Sequence, residues 1–360
     1  MMTVVKLRTL FYLGVAAALM LSLEGCYYMQ AIRGQMDLMK RRRPVTEVIA
    51  DEQSPPELRS RLAVVVAARQ FSIDELLLPD NDSYRSYADL EREHVVWNVF
   101  AAPEFSLEAK RWCYPVAGCV AYRGYFSEEA AHHEAQKLNE KGFDVVVVGV
   151  PAYSTLGKFA DPVLNTMMRW SDADLVATLF HELAHQKLYI KGDAEFNESY
   201  ATAVSDIGIE RWLQQRGEQD QLQGRELRRQ QRSAGMRLIE AARKELHALY
   251  SSDLDDVAMR QQKANILQGL VDGLSGVSPG WLSGTLNNAR LASLGLYEGR
   301  LPSFRAIFRH CGEQLACFYE QAAQLADLPL DERNQRLDKL AAGATASVSV
   351  PAGQAVLRHR

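Results

Sequence analysis

Residues 181–201 read HELAHQKLYIKGDAEFNESYA, and this stretch constrains the fold more than any other in the chain. His181 and His185 lie four apart inside ADLVATLFHELAHQKLYI, whose apolar residues recur with a helical period, so both imidazoles leave one face. The helix is expected to start at Ser171 or Asp172 and run to Tyr189 or Ile190, with Gly192 just past its end and Asp193 capping a second helix to about Gln215. Glu198 follows Gly192 by six residues, and His185 precedes it by seven. At about 1.5 Å rise per residue, each sits on the order of 10 Å from the turn. An antiparallel hairpin thus returns Glu198 to the level of His185.

Those residue types at that spacing suit a divalent cation. Two imidazoles at i and i+4 can hold Zn²⁺ at about 2.0–2.1 Å, and a catalytic zinc takes three protein ligands with one position open. The candidate ligands are His181, His185 and Glu198, with Glu182 one position around from the first imidazole, beside water on the ion. The plainer alternative is a helix carrying two half-exposed histidines. Asp193 and Glu195 sit near the turn and read as capping and dipole-compensating groups. Thr202 and Asp206, at i+4 and i+8 from Glu198, are candidates to hydrogen-bond the outer imidazole nitrogens. Asp206 reads equally as a surface aspartate.

The N-terminus carries an export pattern. Lys6 and Arg8 precede the uncharged run LFYLGVAAALMLSL at 10–23, short of the roughly 20 residues that a spanning helix needs. Leu23-Glu24-Gly25-Cys26 resembles a bacterial lipobox, with Cys26 as the lipidation site, although Glu24 is unusual there. A plain signal peptide or a short anchor helix are the alternatives. Each places the chain outside the cytoplasm, and Tyr27 after the cysteine fits an outer membrane destination facing the periplasm. Cys113, Cys119, Cys311 and Cys317 form two pairs, each with five intervening residues. In an oxidising compartment they suggest disulfides; three connectivities are open, and the two local pairs are favoured. Neither pair has zinc-ligand spacing. The net charge of -4 gives no strong field of either sign, so no nucleic-acid partner is expected.

The element order predicts an α+β fold: a small mixed sheet, an active-site helix hairpin and a mostly helical C-terminal half. Strands are expected at 94–101, 116–125 and 143–150, the last (FDVVVVGV) buried on both faces. Helices are expected at 56–71, 127–141, 219–250 (long, polar and solvated), 254–270 and onward to about 340. The divisions are a signal peptide (1–25), a mixed α/β part (26–170), a helical part with the metal site (171–341) and a disordered tail (342–360).

HELAH with NESYA resembles the gluzincin zinc peptidases, whose third ligand is the glutamate of an Asn-Glu-x-x-Ala element. More closely, VAYRGYF at 120–126, AYSTLGKFADPVL at 152–164, the 181–202 stretch and LNNARLASLGLYEGRLPSF at 286–304 resemble the bacterial putative aminopeptidase lipoproteins. The resemblance implies a zincin-like fold, one Zn²⁺ on His181, His185 and Glu198, Glu182 as general base, a peptide substrate and a lipid anchor in the membrane. The chain departs from gluzincin aminopeptidases where a GxMEN-like element would hold the substrate amine; residues 149–154 read GVPAYS instead. Such hydrolysis needs an oxyanion partner. Tyr153 is the first candidate and Tyr297 the second, each more readily read as a buried structural tyrosine. Two other functions compete: a non-catalytic envelope scaffold that uses the 219–250 helix, and an amide hydrolase acting on peptidoglycan stems.

Overall fold

Eight short strands and twelve helices follow one another in an α+β order, in a computed structural model that describes residues 27–114, 118–152, 154–277, 285–295 and 300–346. Cys26, Tyr153 and Tyr297 lie outside the described residues, as do the export segment and residues 347–360. Helix α1 covers 27–40. It is followed by β1 (Arg42–Pro44), α2 (Val45–Ala50), α3 (Pro56–Asp74), β2 (Ser86–Ala88), β3 (Val96–Pro103), β4 (Trp112–Tyr114), β5 (Gly118–Val120), β6 (Arg123–Tyr125), α4 (Glu128–Asn139), β7 (Phe143–Val150) and β8 (Val163–Leu164). The helical half comprises α5 (Asp172–Lys187), α6 (Ala194–Gln215), α7 (Gln219–Tyr250), α8 (Asp256–Ser275), α9 (Asn288–Gly295), α10 (Leu301–His310), α11 (Leu315–Ala326) and α12 (Leu330–Ala346). Helix α12 thus runs five residues into the stretch read as aperiodic.

The strands form three small sheets, ordered β1-β2-β8, β6-β3-β7 and β4-β5. In the second, β3 is central and antiparallel to both neighbours, with Val99 opposite Val147. The strand buried along nearly its whole length is therefore β3, whereas the four-valine run of β7 is only half-buried because β7 forms the edge. Alternate β3 residues serve two layers: Trp97, Val99 and Ala101 pack with Ala131, Ala135 and Leu138 of α4, while Phe100 and Ala102 meet Ala289 of α9. Ser127 caps α4 by accepting from the Ala130 N–H. The single strand expected over 116–125 is divided into β5 and β6, with a Cys113–Cys119 disulfide across the β4–β5 pair. The second disulfide, Cys311–Cys317, joins the end of α10 to α11. Both are the favoured local pairs.

The largest core gathers α2, α3, α5, α6, α10, α11 and the sheet β1-β2-β8. At its centre Phe180, Phe196, Tyr200, Phe304 and Phe318 are fully buried, with Tyr200 stacked on Phe318 at 6.0 Å. This aromatic cluster immobilises the α5–α6 hairpin. Gly208 of α6 permits close approach, since a Cβ there would stand 2.7 Å from Phe180 and from Leu76. The polar α7 is not simply solvated: Ile239, Ala242, Leu246 and Leu249 pack against Met259, Leu270 and Leu274 of α8.

Candidate metal centre

Helix α5 forms where its N-cap and apolar face dictate. The Ser171 hydroxyl accepts from the Asp174 N–H, Asp172 and Asp174 occupy the positive end, and Leu175, Leu179, Phe180 and Leu183 turn into the core. The helix ends at Lys187, two to three residues before the expected Tyr189 or Ile190, with Leu188 already extended. The cause is Asn197. Its amide donates to the Ile190 carbonyl at 2.7 Å and its oxygen accepts from the Ile190 N–H at 2.8 Å, so a side chain replaces the helical partners of residue 190. Gly192 adopts φ +87°, the left-handed region that glycine enters without strain, and Asp193 caps α6 by accepting from the Phe196 N–H. Asp193 also pairs with the buried Arg333 at 2.8 Å. Asn197, 2% exposed, therefore fixes the register of the hairpin one residue before Glu198.

The hairpin brings His181, His185 and Glu198 together. The two Nε2 atoms are 3.1 Å apart, His181 Nε2 is 3.3 Å from Glu198 Oε2, and His185 Nε2 is 3.7 Å from Glu198 Oε1. A tetrahedral cation with bonds of about 2.0–2.1 Å has ligand–ligand edges of roughly 3.3 Å. The donor set is two imidazole nitrogens and a carboxylate, a composition that suits zinc among several divalent metals. Two imidazole nitrogens facing each other at hydrogen-bond distance beside a carboxylate are the arrangement that a shared cation satisfies. The residues present fit such an ion.

Burial opposes charging His181, but the hydrogen bond it donates to Glu198 and the charges of Glu182 and Glu198 outweigh it, so the imidazole protonates above its ordinary range. Glu198 shows the converse balance: burial would raise it, and its bonds to His181 and His185 bring it down to about 2. Glu182 differs from both. Burial dominates and holds its carboxyl above the usual 4.5, although His181 and His185 pull it down.

The environment of Glu182 contains residues that the sequence did not single out. Gln186, one turn on from Glu182 and on the same face, accepts from Asn81 at 2.7 Å and donates to the Ser83 hydroxyl at 3.3 Å. Tyr84, the next residue, is 2% exposed and has a left-handed backbone at φ +63°. Its N–H donates to the Asp161 carbonyl at 2.6 Å, and its hydroxyl makes no hydrogen bond among the described residues. Burial, then the charges of Glu182 and Asp161, push this phenol well above the tyrosine range. Asp161 is itself buried, accepts from the Thr155 N–H at 2.8 Å and hydroxyl at 2.7 Å, and is raised by burial. A non-glycine left-handed residue was the available signal for Tyr84, and sequence does not reveal it.

Thr202 and Asp206 do not take the expected places. Neither hydrogen-bonds an imidazole among the described residues, and the buried His185 Nδ1 has no such partner. Asp206 instead pairs with Arg305 and, at 4.0 Å, with Arg225. Eight residues carry it about 12 Å along the helix from Glu198, beyond reach of either ring. Thr202 and Asp206 line a cleft of about 630 Å³ between α6 and α7, with Glu210, Arg225, Arg229 and Arg232. The cleft begins one turn from Glu198, and the charge of Arg232 reaches His181.

The fold and site define an α+β protein with a His-His-Glu triad on a helix hairpin that could hold a metal ion. The chain belongs to the family described as "Putative aminopeptidase", whose model matches residues 26–337. No curated protein matches the chain, and no solved structure does.

Proposed function

We propose that the chain is a zinc-dependent peptidase of the gluzincin type, on a zincin-like fold, that hydrolyses peptide bonds as an aminopeptidase. The observation that carries this reading is the convergence of three ligand atoms with Glu182 on the neighbouring helical position. An ion held by His181, His185 and Glu198 would supply acidified water and a polarised amide carbonyl. Glu182 takes the proton from water and returns it to the leaving amine. Its raised carboxyl lies nearer neutral pH than an exposed glutamate, which favours both directions of that transfer. Tyr84 is buried near enough to Glu182 for that charge to raise its phenol, and it is the side chain proposed to orient the carboxylate. Thr202 and the α6–α7 cleft receive the peptide on the other side, and the paired charges of Asp206, Arg225 and Arg305 hold the cleft wall in shape.

The protein acts from the cell envelope, exported by its N-terminal segment and held in the outer membrane through lipidated Cys26. The test is a peptide library presented with free and with acetylated N-termini to wild type and to Glu182→Gln, with products read by mass. The reading expects stepwise N-terminal trimming of free-amine peptides by wild type alone. Cleavage indifferent to acetylation would make the enzyme an endopeptidase, and equal turnover by Glu182→Gln would remove the hydrolase reading.

A further inference from the structure

Helix α1 is fastened to the body by one face. Tyr27 stacks on Tyr114 at 5.4 Å and lies under Arg123 at 4.2 Å. Gln30 accepts from the Phe126 N–H at 3.1 Å and donates to the Gly124 carbonyl at 3.3 Å. Gly34 lets the helix seat on Phe126, where a Cβ would stand 2.1 Å from the ring, and Leu38 is 1% exposed. The orientation of the opposite face is thereby fixed.

That opposite face is apolar and open. Met29, Ile32 and Met36 are 48%, 52% and 52% exposed, and Tyr28, 39% exposed at the edge of this face, also meets the Tyr114 ring edge-on at 6.1 Å. At about 100° per residue they share an arc of about 100°, and Lys40 and Arg33 fall on its next 40° or so. Aromatic and aliphatic side chains on one arc with basic residues beside them form the pattern of a helix lying in a lipid interface. The described part of the helix runs from residue 27, next in sequence to Cys26 and the apolar run 10–23. No helix among the described residues is long and apolar enough to cross a membrane.

We infer that the outer face of α1 docks on the phospholipid bilayer, its four apolar side chains entering the headgroup–acyl boundary with Arg33 and Lys40 at the lipid phosphates. The inference rests on the reading of Cys26 as a lipid anchor and adds to it a fixed orientation. An anchor alone leaves the body free to tumble on its tether, whereas a rigidly seated helix holds one face of the molecule toward the membrane.

The test places an environment-sensitive fluorophore at Ile32→Cys, Met36→Cys and, as control, Val257→Cys on α8, which is 75% exposed. Cys113, Cys119, Cys311 and Cys317 are paired, so the introduced thiol is available for labelling once Cys26 is acylated. The full-length mature protein is reconstituted in vesicles of phosphatidylethanolamine and phosphatidylglycerol containing a spin-labelled lipid quencher. The expected result is blue-shifted emission and severalfold stronger quenching at 32 and 36 than at 257. Equal quenching at the three positions would overturn the inference. Blue-shifted emission before lipid is added would show the face covered by the leader or by a second copy, and would overturn it too. Mass analysis of the N-terminal peptide tests the anchor separately. If Cys26 carries no acyl group, the labelling is repeated on a Cys26→Ser background, where quenching at 32 and 36 by added vesicles still supports the docking face and its absence still overturns it.

Discussion

The two flanks of the α5–α6 hairpin are built from opposite materials. On the α5 side, Glu182 and Gln186 lie under the 79–84 and 154–161 loops, among the buried Tyr84 and Asp161, with hydrogen bonds from hydroxyls, amides and backbone. On the α6 side, Glu198 is followed by Thr202 and Asp206 along an open cleft whose acids are met by arginines. The first arrangement raises carboxyl groups by desolvation. The second pairs its acids with arginines, although burial raises Glu210 there as well, and partly exposed ion pairs contribute roughly 0–1 kcal/mol each. The His181–His185–Glu198 triad thus separates a flank of buried carboxyl groups from an open flank whose acids are met by arginines.

The largest expected effect is on the buried flank. Glu182→Gln keeps metal binding and reduces turnover by about 10²–10⁴-fold, the scale of a lost general base; steady-state rates with metal content measured in the same preparation check it. Next comes the hairpin itself. Asn197→Ala strips both partners from the Ile190 backbone, which costs on the order of 3 kcal/mol and is visible as a lower thermal midpoint together with weaker metal retention. Tyr84→Phe leaves the fold intact and slows turnover by about 10-fold. Steady-state rates measured beside the thermal midpoint check it.

The acid limb has a sign that follows from burial. Glu182 must be ionised to act as base, so the rate falls as pH drops through a midpoint above the ordinary 4.5. Stability of the metal-free protein responds differently. Glu198 is depressed to about 2, so its stabilisation is present above 4.5 and is lost as pH falls toward 2. His181 is raised, so its contribution is present below 6.5 and is lost as pH rises through its higher folded value. Unfolding followed against pH in the presence of chelator checks both slopes. The smallest effect belongs to the open flank: Asp206→Asn changes stability by less than about 1 kcal/mol and alters KM more than kcat, and an equal loss in kcat would place Asp206 in the chemistry.

What the sequence revealed follows the same division. The HELAH helix, the capping Asp193 and the return of Glu198 depend on spacings within one hairpin, where helical period and rise suffice. The two local disulfides were favoured in the sequence, which left three connectivities open, and the structure forms them. Tyr84, Asn81 and Asp161 reach α5 from positions roughly 20 to 105 residues away, and nothing in their own neighbourhood announces that contact. The valine run of β7 suggested burial on both faces, but edge position in a sheet is a property of topology, and the fully buried strand is β3. Asp206 shared a helical face with Glu198 and still missed the imidazoles, because helical phase ignores the 12 Å or so of axial distance.

Calorimetric titration of zinc into the metal-free protein, run beside Glu182→Gln and Glu198→Gln with peptide turnover followed in each, tests the central claim most directly. The account predicts one equivalent bound by wild type and by Glu182→Gln, binding weakened at least 10-fold in Glu198→Gln, and turnover by wild type alone. Failure of wild type to bind, or undiminished turnover when Glu182 or Glu198 is replaced, would contradict it.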